Sequence, residues 1–247
     1  MKRRPFVLWL VWQNVETRQR YHIGNLYCLD GKYTFSYELS GKRRTLLEAM
    51  ENGYRPHLAF RDINKTYTSK RLFDAFARRL PDKRRPDFPE LLRTLGLSED
   101  YSEMDLLRAT GGRLGTDPYE FVAPIYRQQS HFDFDFYVAG WRYYEGELAL
   151  NELIEGDEVQ FEIEKENPKD SKAVMVKSAE SNYHLGYIPA FYSGFMYEVL
   201  NNGGKFKATI STIREHAKPQ LKVNIFVHGN YSYYLQERDK FDIMVNV

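Results

Sequence analysis

The sequence predicts an α+β protein in two parts. An N-terminal β-meander with three short helices comes first. A small β-barrel or strongly bent sheet with one or two helices follows. Three observations carry this. Apolar residues alternate at strand period near the start and throughout the second half. Short amphipathic segments with helix caps and terminal glycines lie between the two. The halves also carry opposite charge: residues 1–127 hold 23 Lys/Arg against 16 Asp/Glu, and residues 128–247 hold 12 against 18. A length of 247 residues, 43% of them hydrophobic and 28% charged, suits two ordinary folded domains.

The strands come first. "RPFVLWLVWQN" is an apolar, β-branched and aromatic run. It is too short for a membrane span, which needs about 20 apolar residues, and it lacks a small-residue cleavage site after it. "RYHIGNLYCLDGKYTFSYEL" continues the meander. Tyr33, Phe35 and Tyr37 alternate with Thr34, Ser36 and Glu38, and Asp30-Gly31 marks a hairpin turn. The lone cysteine, Cys28, rules out an intrachain disulfide and fits a reducing, cytoplasmic setting.

Helical signals follow. "GKRRTLLEAMENG" has room for a short helix closed by Gly53. "SKRLFDAFARRLP" reads as an amphipathic helix capped by Ser69 and stopped by Pro81. "DFPELLRTLGLS" offers Asp87 as cap, Pro89 in the first turn and Gly96 as stop. In "SEDYSEMDLLRATGG", Ser102 and Asp105 resemble a capping box and Gly111-Gly112 ends the helix. "DPYEFVAPIY" then turns extended. The polar, aperiodic "YRQQSHFD" (126–133) sets the expected boundary, giving domains 1–127 and 128–247.

In the second half, "HFDFDFYVAGWRYY", "EGDEVQFEIEKE", "KAVMVKS", "YHLGYIP", "KFKATISTIRE" and "PQLKVNIFVHG" read as strands. "AFYSGFMYEVLNNGG" reads as a helix closed by Gly203-Gly204.

Enzyme motifs are absent. There is no GxxxxGK[ST], HExxH or GxSxG run, and "GGRLGTD" follows a helix where a phosphate loop would precede one. The six histidines do not pair at metal-ligand spacing, and His184, beside a strand end, reads as a packed or surface residue. A binding protein with no catalytic residues, metal or cofactor is the expectation.

Three segments of the second half suggest a site: "AGWRYYEG", "ENPKDSKAVMV" and "LGYIP" (185–189). Together they resemble the HIRAN domain over about residues 132–230, through G-x-R-[YF]-Y-x-G, then N-P-x-D-x-x-A-[VI]-x-V, then L-G-[YH]-[IL]. The resemblance implies an OB-like β-barrel that binds single-stranded DNA, with capture of a free 3′ end in eukaryotic members. It implies Arg142, Tyr143 and Tyr144 on phosphate and base, Asp170 on the 3′-OH, and Asn167 and Tyr187 beside them. Lys169 stands where a second stacking aromatic is expected and adds a phosphate contact. Tyr187 replaces a histidine, and Ala190 falls where a lysine helps hold phosphate. The chemistry of the side chains agrees: a guanidinium fork suits phosphate, a tyrosine ring stacks on a base, and a carboxylate suits a hydroxyl donor.

Structural readings stand beside these. Tyr143 and Tyr144, taken as neighbours on a strand, face opposite sides, so one belongs in the core. Asn167 and Asp170 either build the turn or meet a ligand. Gly140, Gly146 and Gly186 read as bends. Trp141 is open to both.

The first half, residues 6–124, more loosely resembles the N-terminal subdomain of HipA-type toxin kinases, through "R…LGLS…D…LL…GR". That likeness implies a protein-interaction role without phosphotransfer, and an antitoxin-like partnership with a HipA-type kinase as the alternative function. The runs Lys42-Arg43-Arg44 and Lys83-Arg84-Arg85 would add phosphate contacts if the chain grips DNA; otherwise they are solvated loops.

Overall fold

A computed structural model describes residues 6–40, 44–128, 130–231 and 244–246. The fold is mixed α+β and mostly antiparallel. It divides into two compact units, Met1–Pro124 and Ile125–Val247.

In the first unit, β1 (Phe6–Gln13), β2 (Arg20–Leu29) and β3 (Lys32–Tyr37) form the meander. Helix α1 (Leu46–Glu51), strand β4 (Tyr67–Ser69), helices α2 (Asp74–Ala77), α3 (Phe88–Thr94) and α4 (Glu103–Thr110), and strand β5 (Tyr119–Val122) follow. The sheet order is β4-β3-β2-β1-β5. Val7 to Val11 of β1 are all buried, as a strand covered on both faces requires. Asp30 and Gly31 both take positive φ, 49° and 75°, the geometry of a two-residue hairpin whose twist matches its strands.

The helices number four among the described residues, not three. Ser102 and Asp105 do form a reciprocal capping box, and Gly111 ends α4 in the left-handed region. The expected helix from Ser69 to Pro81 shrinks to the four residues of α2. Ser69 instead ends β4, paired with Tyr33, and its hydroxyl accepts from the Arg71 amide. Strand pairing took the residue that would have capped the helix. Asp87 precedes α3 without capping it, because its carboxylate is drawn to Arg85.

Arg84 pairs with Asp82 at 2.9 Å and Arg85 with Asp87 at 2.5 Å. This basic run is therefore a largely neutralised surface loop. Lys42 and Arg43 lie outside the described residues.

The second unit begins with β6 (Ile125–Gln128), which pairs with β7 (His131–Tyr137). Helix α5 (Gly146–Ala149), strands β8 (Val159–Ile163), β9 (Val174–Ser178) and β10 (His184–Tyr187), helix α6 (Ala190–Asn201), and strands β11 (Lys205–Ile213), β12 (Val223–Asn230) and β13 (Met244–Asn246) complete it.

These strands make two sheets, β11-β12-β7-β6-β13 and β10-β9-β8. Two isolated bridges connect them, Ala139 with Tyr187 and Glu158 with Thr209. The expected OB-like barrel is thus not a closed, continuously hydrogen-bonded one. Gly140, at φ 81°, turns the chain out of strand geometry one residue after the first bridge, so that ladder cannot extend.

The core lies between β7 and α6. Phe132 meets Phe195 at 4.9 Å and Phe134 meets Tyr192 at 5.1 Å between ring centroids. Burying each such side chain is worth about 1.5–3 kcal/mol. Phe195, Met196 and Val199 of α6 are fully buried. The alternating "HFDFDF" of β7 supplies the facing rings, with the two aspartates on the opposite side. Among the described residues, no helix is long and apolar enough to cross a membrane.

Candidate nucleic-acid interface

The segment "GWRYYEG" is a turn, not a strand. Gly140 leaves the β7 extension, and Trp141–Tyr143 form one 3-10 turn, with the Tyr143 amide donating to the Gly140 carbonyl at 2.8 Å. At about three residues per turn, successive side chains point in three directions. Trp141 points inward and is 1% exposed. Its indole lies against Gly146, where an added β-carbon would sit 2.5 Å from the ring. Its Nε1 donates to Glu147 at 3.0 Å, and Glu147 also accepts from Lys222 at 2.7 Å.

With Trp141 pegged, Arg142 and Tyr143 stay outside. Tyr143 is 70% exposed and Tyr144 is 41% exposed. The expectation that one tyrosine is core is therefore overturned, because it assumed strand alternation and the turn has none. The Arg142 guanidinium lies 4.6 Å from the Tyr143 ring centroid and bonds its hydroxyl. No carboxylate pairs with Arg142 among the described residues.

Tyr144 leads back to β10. Glu145 exchanges two bonds with His184: its amide donates to the His184 carbonyl at 2.9 Å, and its carboxylate accepts from the His184 amide at 2.8 Å. The Tyr144 ring rests on the His184 ring at 4.2 Å and meets Tyr187 at 5.1 Å. His184 and Tyr187, three residues apart, would face opposite sides of a regular strand. A register shift between His184 and Gly186 brings them together, 5.0 Å apart. His184 Nε2 donates to the Gly186 carbonyl at 3.1 Å. Burial pushes the imidazole below its ordinary range, against the raising effect of that bond and of Glu164 and Glu145.

The "NPKD" stretch joins the site through Glu164. Asn167 Oδ1 accepts from the amides of Lys169 at 2.9 Å and Asp170 at 3.0 Å, and its Nδ2 donates to Glu164 at 2.6 Å. The same Glu164 oxygen accepts from the Tyr187 hydroxyl at 2.6 Å. These two donors hold the Glu164 carboxyl below the usual carboxylate range, Tyr187 first. Burial, then the bond to Glu164, pushes the Tyr187 phenol up.

Asp170 accepts from the Lys172 amide at 2.9 Å and from the Ser193 hydroxyl at 3.3 Å, which ties the turn to α6. Lys169 is exposed and makes no ion pair among the described residues.

The Glu164 carboxylate links Tyr187 to Asn167, Tyr144 joins them by packing on Tyr187, and Arg142 and Tyr143 sit on the turn just before Tyr144. Lys169 and Asp170 share the Asn167 turn. Both Asn167 and Asp170 build that turn, the structural alternative of their sequence reading. Two members escaped the sequence: Glu164, three residues before Asn167, and His184. Glu164 sat in a run of exposed charges with nothing to single it out. His184 was hidden by the strand irregularity. No group of three or more His, Cys, Asp or Glu could hold a metal among the described residues.

The model of the HIRAN domain matches residues 131–232. No curated protein matches the chain. Among solved structures, the chain is similar to the HIRAN domain of human HLTF at 14% identity, covering 47% of this chain and 93% of that one, with a TM-score of 0.37. It is also similar to a protein from Lactobacillus plantarum at 20% identity, covering 40% of this chain and 92% of that one, with a TM-score of 0.34. The match leaves residues 6–124 outside it, and their expected likeness to the N-terminal subdomain of HipA-type kinases is not shown. Residues 131–232, which hold every side chain of the site described above, match the HIRAN domain family.

Proposed function

We propose that residues 131–232 bind single-stranded DNA and receive a free 3′ end. The observation that carries this is the Arg142–Tyr143 pair: an aromatic ring 70% exposed, with a guanidinium 4.6 Å from its centroid that no described carboxylate neutralises. A base stacks on the open ring face, worth roughly 1–3 kcal/mol. The guanidinium fork meets the adjoining phosphate. Tyr144 and Tyr187 flank the stacked base, and Lys169 supplies a second phosphate contact.

Asp170 is assigned to the terminal hydroxyl. A carboxylate offers about four acceptor positions. The 3.3 Å bond from the Ser193 hydroxyl is longer than the 2.9 Å bond from the Lys172 amide, and so the easier to exchange. Phosphate at the 3′ end would instead meet like charge.

The test is fluorescence anisotropy of the full chain with a single strand ending in 3′-OH, against the same strand ending in 3′-phosphate. Tighter binding of the hydroxyl form is expected, and Asp170→Asn narrows the difference. Equal affinity for both forms removes end recognition and leaves single-strand binding. Absence of binding to either overturns both.

A further inference from the structure

We propose that His184 is a further contact of this site, that its Nδ1 meets a phosphate oxygen of the bound strand, and that it carries a proton in the complex, so that binding takes up a proton. This rests on the single-strand reading above.

The geometry begins with Nε2. Its bond to the Gly186 carbonyl requires a hydrogen there, so a neutral ring keeps its lone pair on Nδ1. Nδ1 makes no hydrogen bond among the described residues. An acceptor lone pair at the edge of a phosphate site is repulsive. Protonation turns it into a donor without disturbing the Nε2 bond.

The surroundings accept the cation. Tyr144 lies 4.2 Å from the imidazole on one side and Tyr187 5.0 Å on another, and both rings favour a positive neighbour. Glu145 is bonded to the His184 backbone, and Glu164 acts on it from beside Tyr187. Against these stand burial and Lys177, the cross-strand neighbour on β9, whose ammonium is engaged by Glu162. In the free protein burial wins and the ring is held below its ordinary 6.5. A phosphate adds the negative charge that reverses the balance.

The gain matters here because the second half is short of cations, with 12 Lys/Arg against 18 Asp/Glu. A group that becomes positive only when a phosphate arrives attracts the strand without adding a permanent charge.

The sign follows from the two states. The bound-state pKa lies above the free-state one, so affinity rises as pH falls through the bound value and levels off below the free value. Between them the gain is about tenfold per pH unit. The experiment is anisotropy of the full chain with a 3′-OH single strand between pH 5.5 and 8, for the native protein and His184→Gln. Glutamine keeps a donor for Gly186 and cannot titrate. Calorimetry of the native protein in two buffers of different ionisation enthalpy counts the proton directly and needs no variant.

The expected result is tighter binding at lower pH, uptake of up to about one proton, and loss of the pH dependence in His184→Gln. Binding that is independent of pH, or whose pH dependence survives in His184→Gln, overturns the assignment of His184 and leaves the single-strand reading intact. Absence of binding at every pH overturns that reading itself.

Discussion

Gly186 and Ala139 face each other beside one of the two bridges that join the sheets of the second unit, with no room between them for a side chain. Ala139 and Tyr187 exchange backbone bonds of 2.8 and 2.9 Å, and a β-carbon on Gly186 would run into the Ala139 carbonyl oxygen. Gly186 also holds φ at 142°, which L side chains rarely adopt. Gly186→Ala is therefore expected to destabilise the protein by roughly 2–4 kcal/mol, from backbone strain plus a clash that no flexible group can relieve. Chemical denaturation checks this. A cost within 0.5 kcal/mol, the usual scatter for surface substitutions, would show that the close approach is dispensable.

The two tyrosines of the site should separate in experiment. Tyr143 projects from the 3-10 turn at 70% exposure, whereas Tyr144 packs on His184 and Tyr187. Tyr143→Ala is expected to cost roughly 1–3 kcal/mol of single-strand affinity while moving stability by under about 0.5 kcal/mol. Tyr144→Ala is expected to lower both stability and affinity. Anisotropy and thermal melting read the two quantities, and matching profiles for the two variants would count against the assignment of Tyr143 as the open stacking face.

Glu164 gives a prediction with a definite sign. Its carboxyl is held below the ordinary 4.5 by donors from Tyr187 and Asn167. A depressed folded pKa means these bonds contribute fully above the unfolded value and are lost as pH falls through the folded one. The site should therefore keep its geometry down to about pH 4.5 and loosen below it. NMR titration of the Glu164 carboxyl is expected to show the lowered midpoint, and Tyr187→Phe to move it back upward. An unchanged midpoint in that variant would mean the phenol does not hold the carboxylate.

How far the site could be read in advance depended on whether a signal was local. The Ser102/Asp105 capping box, the Asp30-Gly31 hairpin and the Gly203 helix stop are short-range chemistry, and each is present in the fold. Strands β7, β8, β11 and β12 followed from alternation, whereas β6 occupies part of the stretch expected as an aperiodic boundary and β13 had no such signal. Ser69 was misread because a tertiary pairing with Tyr33 outcompeted a local cap. The Tyr143–Tyr144 pair was misread because a left-handed glycine at 140 converted an apparent strand into a turn. His184 could not be placed, since its side depends on a register shift that β-period reading cannot see. Glu164 needed knowledge of which hydroxyl arrives from β10. Residue identities thus pointed to the segments of the site, while the contacts among them came only from tertiary structure.

The salt dependence of binding tests how many phosphates the site engages. Arg142, Lys165 and Lys169 are the exposed cations on the Trp141–Tyr143 turn and the loop between β8 and β9 that make no ion pair among the described residues. Lys172, by contrast, is engaged by Glu198. Each phosphate neutralised on a single strand contributes about −0.7 to the slope of log affinity against log salt. Contacts from about three cations predict a slope near −2 at a pH where His184 stays neutral in the complex. Arg142→Ala should then make the slope shallower by about 0.7 and weaken strands of every sequence alike, because a phosphate contact reads no base. Anisotropy titrations at several salt concentrations measure this directly. A native slope near zero would mean that stacking alone holds the strand. A slope much steeper than −2 would mean that cations beyond these three take part, and the basic first unit would be the place to look for them.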